Sequence, residues 1–117
     1  MTWIPLFEIS SRDFDEDIAL LKKIFKSFEQ KIHYSEGFKF SPEAQFAMGW
    51  WFYNIYVKAG FIKKLVEHEH MINPKILDEN GILQLVSTRL KHEKSKARVK
   101  FHGEKPFFAK YWSWLMK

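Results

Sequence analysis

The chain contains no cysteine. That excludes disulfide scaffolds, thiolate zinc sites, iron–sulfur clusters and cysteine nucleophiles. Its five glycines, at positions 37, 49, 60, 81 and 103, are too scattered to form a phosphate-cradling loop. No serine is flanked as a G-x-S-x-G nucleophile elbow requires. The four prolines are dispersed, and no Gly/Ser linker, repeat or low-complexity tract divides the sequence. Long apolar runs are also missing: the longest, Phe46 to Val57, has 12 residues, short of the ~18–20 that a membrane span needs. The first eight residues lack a basic region, and Pro5 and Glu8 interrupt their apolar character, so no signal peptide is expected. These absences predict a soluble protein, cytoplasmic by default.

What is present fits one domain over residues 1–117. Hydrophobic residues make up 46% and charged residues 28%, a globular balance and not that of a disordered chain. Aromatic residues are abundant, with 12 Phe, 5 Trp and 4 Tyr. The net charge of +5 is unevenly placed. Residues 1–88 carry ten Lys/Arg against twelve Asp/Glu, whereas residues 89–117 carry nine against two. The whole basic excess therefore lies in the last quarter, which points to an anionic partner.

Periodicity predicts a mainly α domain of four or five helices, with a short C-terminal β-hairpin as the alternative for its last part. Trp3, Phe7 and Ile9 alternate with polar residues, the pattern of a short edge strand or a packed arm, and Pro5 argues against a central strand. Phe14, Ile18, Leu21, Phe25, Phe28 and Ile32 recur at spacings of three and four, predicting a helix over 13–33. Asp13 with Glu16 fits a capping box, and Asp15, Glu16 and Asp17 suit the first turn. Ser41-Pro42-Glu43 reads as a second helix start. The following run to Val57 is apolar almost all round and predicts a central core helix that buries Trp51 and Phe52. Gly60 marks a kink or a stop before Phe61, Ile62, Leu65 and Val66. Asn73-Pro74 predicts a short helical turn ending at Asp78-Glu79-Asn80-Gly81. Ile82, Leu85, Val86 and Leu90 predict a further helix. Ala97 to His102 alternates apolar and basic residues, a strand period, while Phe107 to Met116 fits a helical face.

Catalytic patterns are scarce. His68-Glu69-His70 resembles a fragment of a metal site, but helical positions two apart point about 200° away from each other. A zinc-binding helix spaces its histidines four apart. Glu29-Gln30-Lys31 matches a nuclease E-x-K pattern, yet falls on a helix where that chemistry needs a strand. Arg98 and His102 stand too close for the R-x4–6-H motif of small helical ribonucleases. The acids at 13–17 and 78–79 occupy cap and turn positions. No catalytic residue, metal site or cofactor is therefore expected.

The basic, aromatic segment 89–117 remains as the candidate site. Arg89, Lys91, Lys94, Lys96, Arg98, Lys100, Lys105 and Lys110 are interleaved there with Phe101, Phe107, Phe108, Tyr111, Trp112 and Trp114. Cations neutralise phosphates, and exposed rings stack on unpaired bases. The expectation is a non-enzymatic module that contacts nucleic acid, or a nucleoprotein complex, through this segment. An alternative of another class is a small inhibitor, immunity protein or antitoxin that binds an acidic protein surface. Attachment to a membrane surface through Lys105 to Lys117 ranks below both.

Overall fold

A computed structural model of the chain describes residues 3–102. Its elements run β1 (Trp3–Ser11), α1 (Phe14–Ile32), β2 (Phe38–Phe40), β3 (Gln45–Ala47), β4 (Trp50–Lys58), α2 (Ala59–Ile72), α3 (Glu79–His92) and β5 (Arg98–Phe101). The strands form one antiparallel sheet in the order β2-β4-β1-β5, with β3 also pairing β4. The mainly α expectation is therefore wrong. Among the described residues the chain is α+β, with three helices and five strands.

The largest correction concerns Phe46 to Val57. This run is not a core helix but β3, a two-residue turn and β4. Trp50, Trp51, Phe52, Tyr53, Ile55, Tyr56 and Val57 are aromatic or β-branched, which favours strand over helix. Burial along β4 has period two: Tyr53, Ile55 and Val57 are buried, and the residues between them are half-buried. A strand with a large side chain on both faces reads as apolar all round, just as a buried helix does. Met48 and Gly49 make the turn, with φ of 54° and 81°. Positive φ at both positions suits the twist of a two-residue hairpin.

Two prolines also depart from expectation. β1 is a central strand despite Pro5, which lies beside a register shift between Pro5 and Phe7. Pro5 stands opposite Tyr56 of β4 and lies beyond the ladder of β5, which covers only Phe7 to Ser10, and the register shift next to it breaks the regular pairing there. Ser41-Pro42-Glu43 begins no helix either. It interrupts the edge strand between β2 and β3, because proline cannot donate to a ladder.

The helices follow their apolar stripes more closely. α1 buries Leu21, Ile24, Phe25, Phe28 and Ile32. Asp13 precedes it, but its side chain makes no cap hydrogen bond, so the expected capping box does not form. Asp78 does cap a helix: it accepts from the Asn80 N–H at 2.9 Å and opens α3, rather than closing an earlier turn. α1, α2 and α3 join Leu6, Phe7 and Ile9 of β1 and Tyr53, Ile55 and Val57 of β4 in one core cluster. The alternation read over Ala97 to His102 appears as β5, which pairs with β1; the rest of the expected C-terminal hairpin lies outside the described residues. The helical face read over Phe107 to Met116 lies outside the described residues. No helix among the described residues is long and apolar enough to cross a membrane.

Candidate functional site

All three helices pack on one face of the sheet, and among the described residues no element covers the other. Side chains alternate across a strand, so Trp50, Phe52, Asn54, Tyr56 and Lys58 of β4 share this second face. Register adds their neighbours: Ser10 stands opposite Phe52, Glu8 opposite Asn54, and Trp3 opposite Lys58. On the far side of β1, Arg98 pairs with Ser10 and Lys100 with Glu8. Lys39 of β2 lies opposite Tyr56.

Cations sit against the rings of this face in two groups. At one end Arg12 and Arg98 hold their guanidinium carbons 4.6 and 5.1 Å from the centre of the Trp50 ring. At the other end the Lys39 ammonium lies 4.7 Å from the Trp3 ring and 5.9 Å from the Tyr56 ring, and the Lys58 ammonium lies 5.1 Å from Trp3. Trp50 and Tyr56 are six positions apart along β4, about 20 Å at the rise of a β-strand. Between the two groups, Lys100 forms an ion pair with Glu8 at 3.4 Å, and His102 Nδ1 donates to Asn54 Oδ1 at 3.2 Å. Chemically, such a face offers flat rings for stacking and positive charge on both sides of them.

Of the eight cations singled out from sequence, the six among the described residues lie in three different parts of the fold. Arg98 and Lys100 lie on the open face. Arg89 and Lys91 belong to α3 in the helical layer, where Arg89 pairs with Glu93 at 3.7 Å and lines a groove of about 530 Å³ between the helices. Lys94 and Lys96 are exposed in the connection to β5. Lys105 and Lys110 lie outside the described residues. Sequence reasoning missed Trp3, Arg12, Lys39, Trp50, Phe52, Tyr56 and Lys58. The signal was the alternation through β4, hidden because the inward positions are equally apolar.

Other polar groups tie the scaffold together. The Ser11 and Tyr53 hydroxyls meet at 2.7 Å under the sheet. Burial pushes the Tyr53 phenol up to about 12, the Asp17 charge adds to this, and the Ser11 hydrogen bond opposes it. Ser95 donates to buried Asp17 at 2.7 Å and accepts from the Ala97 N–H at 3.1 Å, fixing the approach to β5. His70 Nδ1 lies 2.8 Å from the Ile76 carbonyl. Among the described residues no three His, Asp or Glu side chains gather as a metal site. No family model, curated protein or solved structure matches the chain.

Proposed function

We propose that the protein is a non-enzymatic module that binds single-stranded nucleic acid across the open face of its sheet. The observation that carries this reading is the pairing of Trp3, Trp50 and Tyr56 with Arg12, Lys39, Lys58 and Arg98. Rings on a sheet stack unpaired bases, and flanking cations neutralise the phosphates between them. Duplex recognition by contrast requires an element that enters a groove. The reading keeps the basic C-terminal region as a contributor, through Arg98 and Lys100, but moves the centre of the site to β4. It implies a cytoplasmic setting where such strands occur.

Fluorescence anisotropy with single- and double-stranded RNA and DNA oligonucleotides, at two salt concentrations, tests the proposal. Single strands should bind more tightly than duplexes, and the affinity should fall steeply with salt. No binding at low salt, or affinity indifferent to salt, overturns it. A protein captured stoichiometrically through this face after nuclease treatment would identify an acidic protein surface as the partner instead.

A further inference from the structure

At its Trp50 end the open face runs into the turn between β3 and β4, and this turn departs from the usual chemistry of its type. Two-residue turns with both φ values positive favour Asn or Asp before Gly, because a short polar side chain tolerates the left-handed region. Gly49 meets that demand, with φ of 81°. Met48 does not. Its φ is 54°, and its long apolar side chain is 98% exposed. Phe46, two residues earlier, is 60% exposed although its ring packs against Trp51 at 4.9 Å. β3 is exposed over its whole length, so the hairpin tip is an apolar projection from the sheet. A backbone in a disfavoured region that also presents apolar surface to water lowers stability twice, a combination that points to use of the tip.

The neighbours of the tip decide what it would meet. Trp50 follows the turn directly and pairs with Ala47, and the guanidiniums of Arg12 and Arg98 lie against its half-buried ring. Among the described residues, the most exposed large apolar side chains at this end are therefore Met48 and Phe46. An apolar projection beside two guanidiniums matches a ligand that alternates flat apolar groups with negative charge, which is the makeup of a nucleic-acid strand. Methionine suits such contact: its flexible, polarisable thioether packs well on aromatic surfaces, and methionine is among the side chains that wedge between stacked bases. A bilayer fits less well, because it would surround the tip on every side. On the helix side Trp51 packs on Phe14, which Asp13, Asp15 and Glu16 flank in the chain, and these acids would be repelled by anionic headgroups. A strand lying on the open face meets the guanidinium side alone.

We infer that Met48 is an insertion residue, which enters between two neighbouring unpaired bases while Arg12 and Arg98 hold the phosphates beside them; the inference rests on the nucleic-acid reading above. Binding then opens one base step at a fixed place on the protein. The contact is made to ring faces, so it carries no base identity. It explains why the turn keeps methionine where asparagine would suit the backbone better: asparagine has no apolar chain to insert.

The test uses the full chain and adenine octamers, RNA or DNA according to which binds, with 2-aminopurine placed at each position in turn. This base brightens when a stacked neighbour is removed. Saturating wild-type protein should brighten it at one step of the strand. Met48→Asn should bind the octamers about two- to tenfold more weakly, the size of one sulfur–aromatic contact, and at saturation should lose the brightening. The same variant should melt about 2–5 °C higher, because asparagine relieves the turn. Met48→Leu, apolar and of similar size, should keep the brightening. Undiminished brightening or unchanged affinity in Met48→Asn overturns the insertion while leaving the binding face intact. Flotation with anionic phosphatidylserine vesicles that Met48→Asn abolishes would assign the tip to a membrane and overturn it as well. Absence of binding to any octamer overturns both the insertion and the nucleic-acid reading.

Discussion

The Arg98 guanidinium reaches across β1 to lie 5.1 Å from the centre of the Trp50 ring on β4. Arg12 lies 4.6 Å from the same ring. Two cations on one indole concentrate positive charge around a flat apolar surface, at a place that neither the C-terminal quarter nor the central apolar run defines alone.

Adjacent tryptophans should divide binding from stability. Trp50 belongs to the open face, whereas Trp51 packs against Phe14 at 5.3 Å and Phe46 at 4.9 Å between ring centres. Trp50→Ala should weaken single-strand binding by roughly 5- to 150-fold, equivalent to about 1–3 kcal/mol of stacking, with little change in Tm. Trp51→Ala should cost about 2 kcal/mol of stability, less than a fully buried tryptophan because Trp51 is only half-buried. Thermal melts and anisotropy on both variants check the pair.

Salt dependence should locate the phosphate contacts. Replacing Lys39 and Lys58 with Ser should reduce the slope of log K against log salt by about 1.4, at roughly 0.7 per contact on a single strand. Replacing Lys63 and Lys64, exposed on α2, removes the same charge and should leave the slope unchanged.

Gly37 is required by close approach. A Cβ there would stand 2.3 Å from Cδ1 of Phe61, which is fully buried in the core. Gly37→Ala should destabilise the protein by about 1–3 kcal/mol through overpacking, measured by denaturant titration.

Alkaline pH should expose the role of Tyr53. Its phenol ionises near 10 in the unfolded chain and at about 12 when folded. The folded state therefore holds the proton more tightly. The resulting stability is fully present below pH 10 and declines as pH rises toward 12. About 2–3 kcal/mol should be lost across that window. Tyr53→Phe should show a shallower fall in Tm over the same range.

Ser95→Ala should loosen the attachment of β5. It removes the donor to the buried Asp17 carboxylate and the acceptor for the Ala97 N–H, at a cost of about 1–2 kcal/mol. Amide exchange in Val99 and Lys100 should accelerate before exchange in β4 does.

Local patterning was enough for α1. Its stripe from Phe14 to Ile32 has only one way to be buried, because spacings of three and four match no strand, and the structure buries its centre. The alternation at Arg98 to Phe101 likewise identified β5, since basic residues on one side leave a single inward face. Composition also located two contributors to the open face, Arg98 and Lys100, by charge alone.

β4 was beyond local reasoning. Its inward residues Tyr53, Ile55 and Val57 fill the core, while its outward residues Trp50, Phe52 and Tyr56 form the candidate site. Both sets are apolar, so hydropathy carries no period, and the choice between helix and strand passes to long-range pairing with β1. That pairing joins residues forty or more positions apart, from Trp3 with Lys58 to Ser11 with Trp51. Together with the pairing of β2 to β4 and of β5 to β1, it gathers Trp3, Arg12, Lys39 and Arg98 on the face that carries the rings of β4. Periodicity and charge are properties of neighbouring residues and survive in a linear reading. The face of a sheet is a property of register, which exists only once distant strands have exchanged hydrogen bonds.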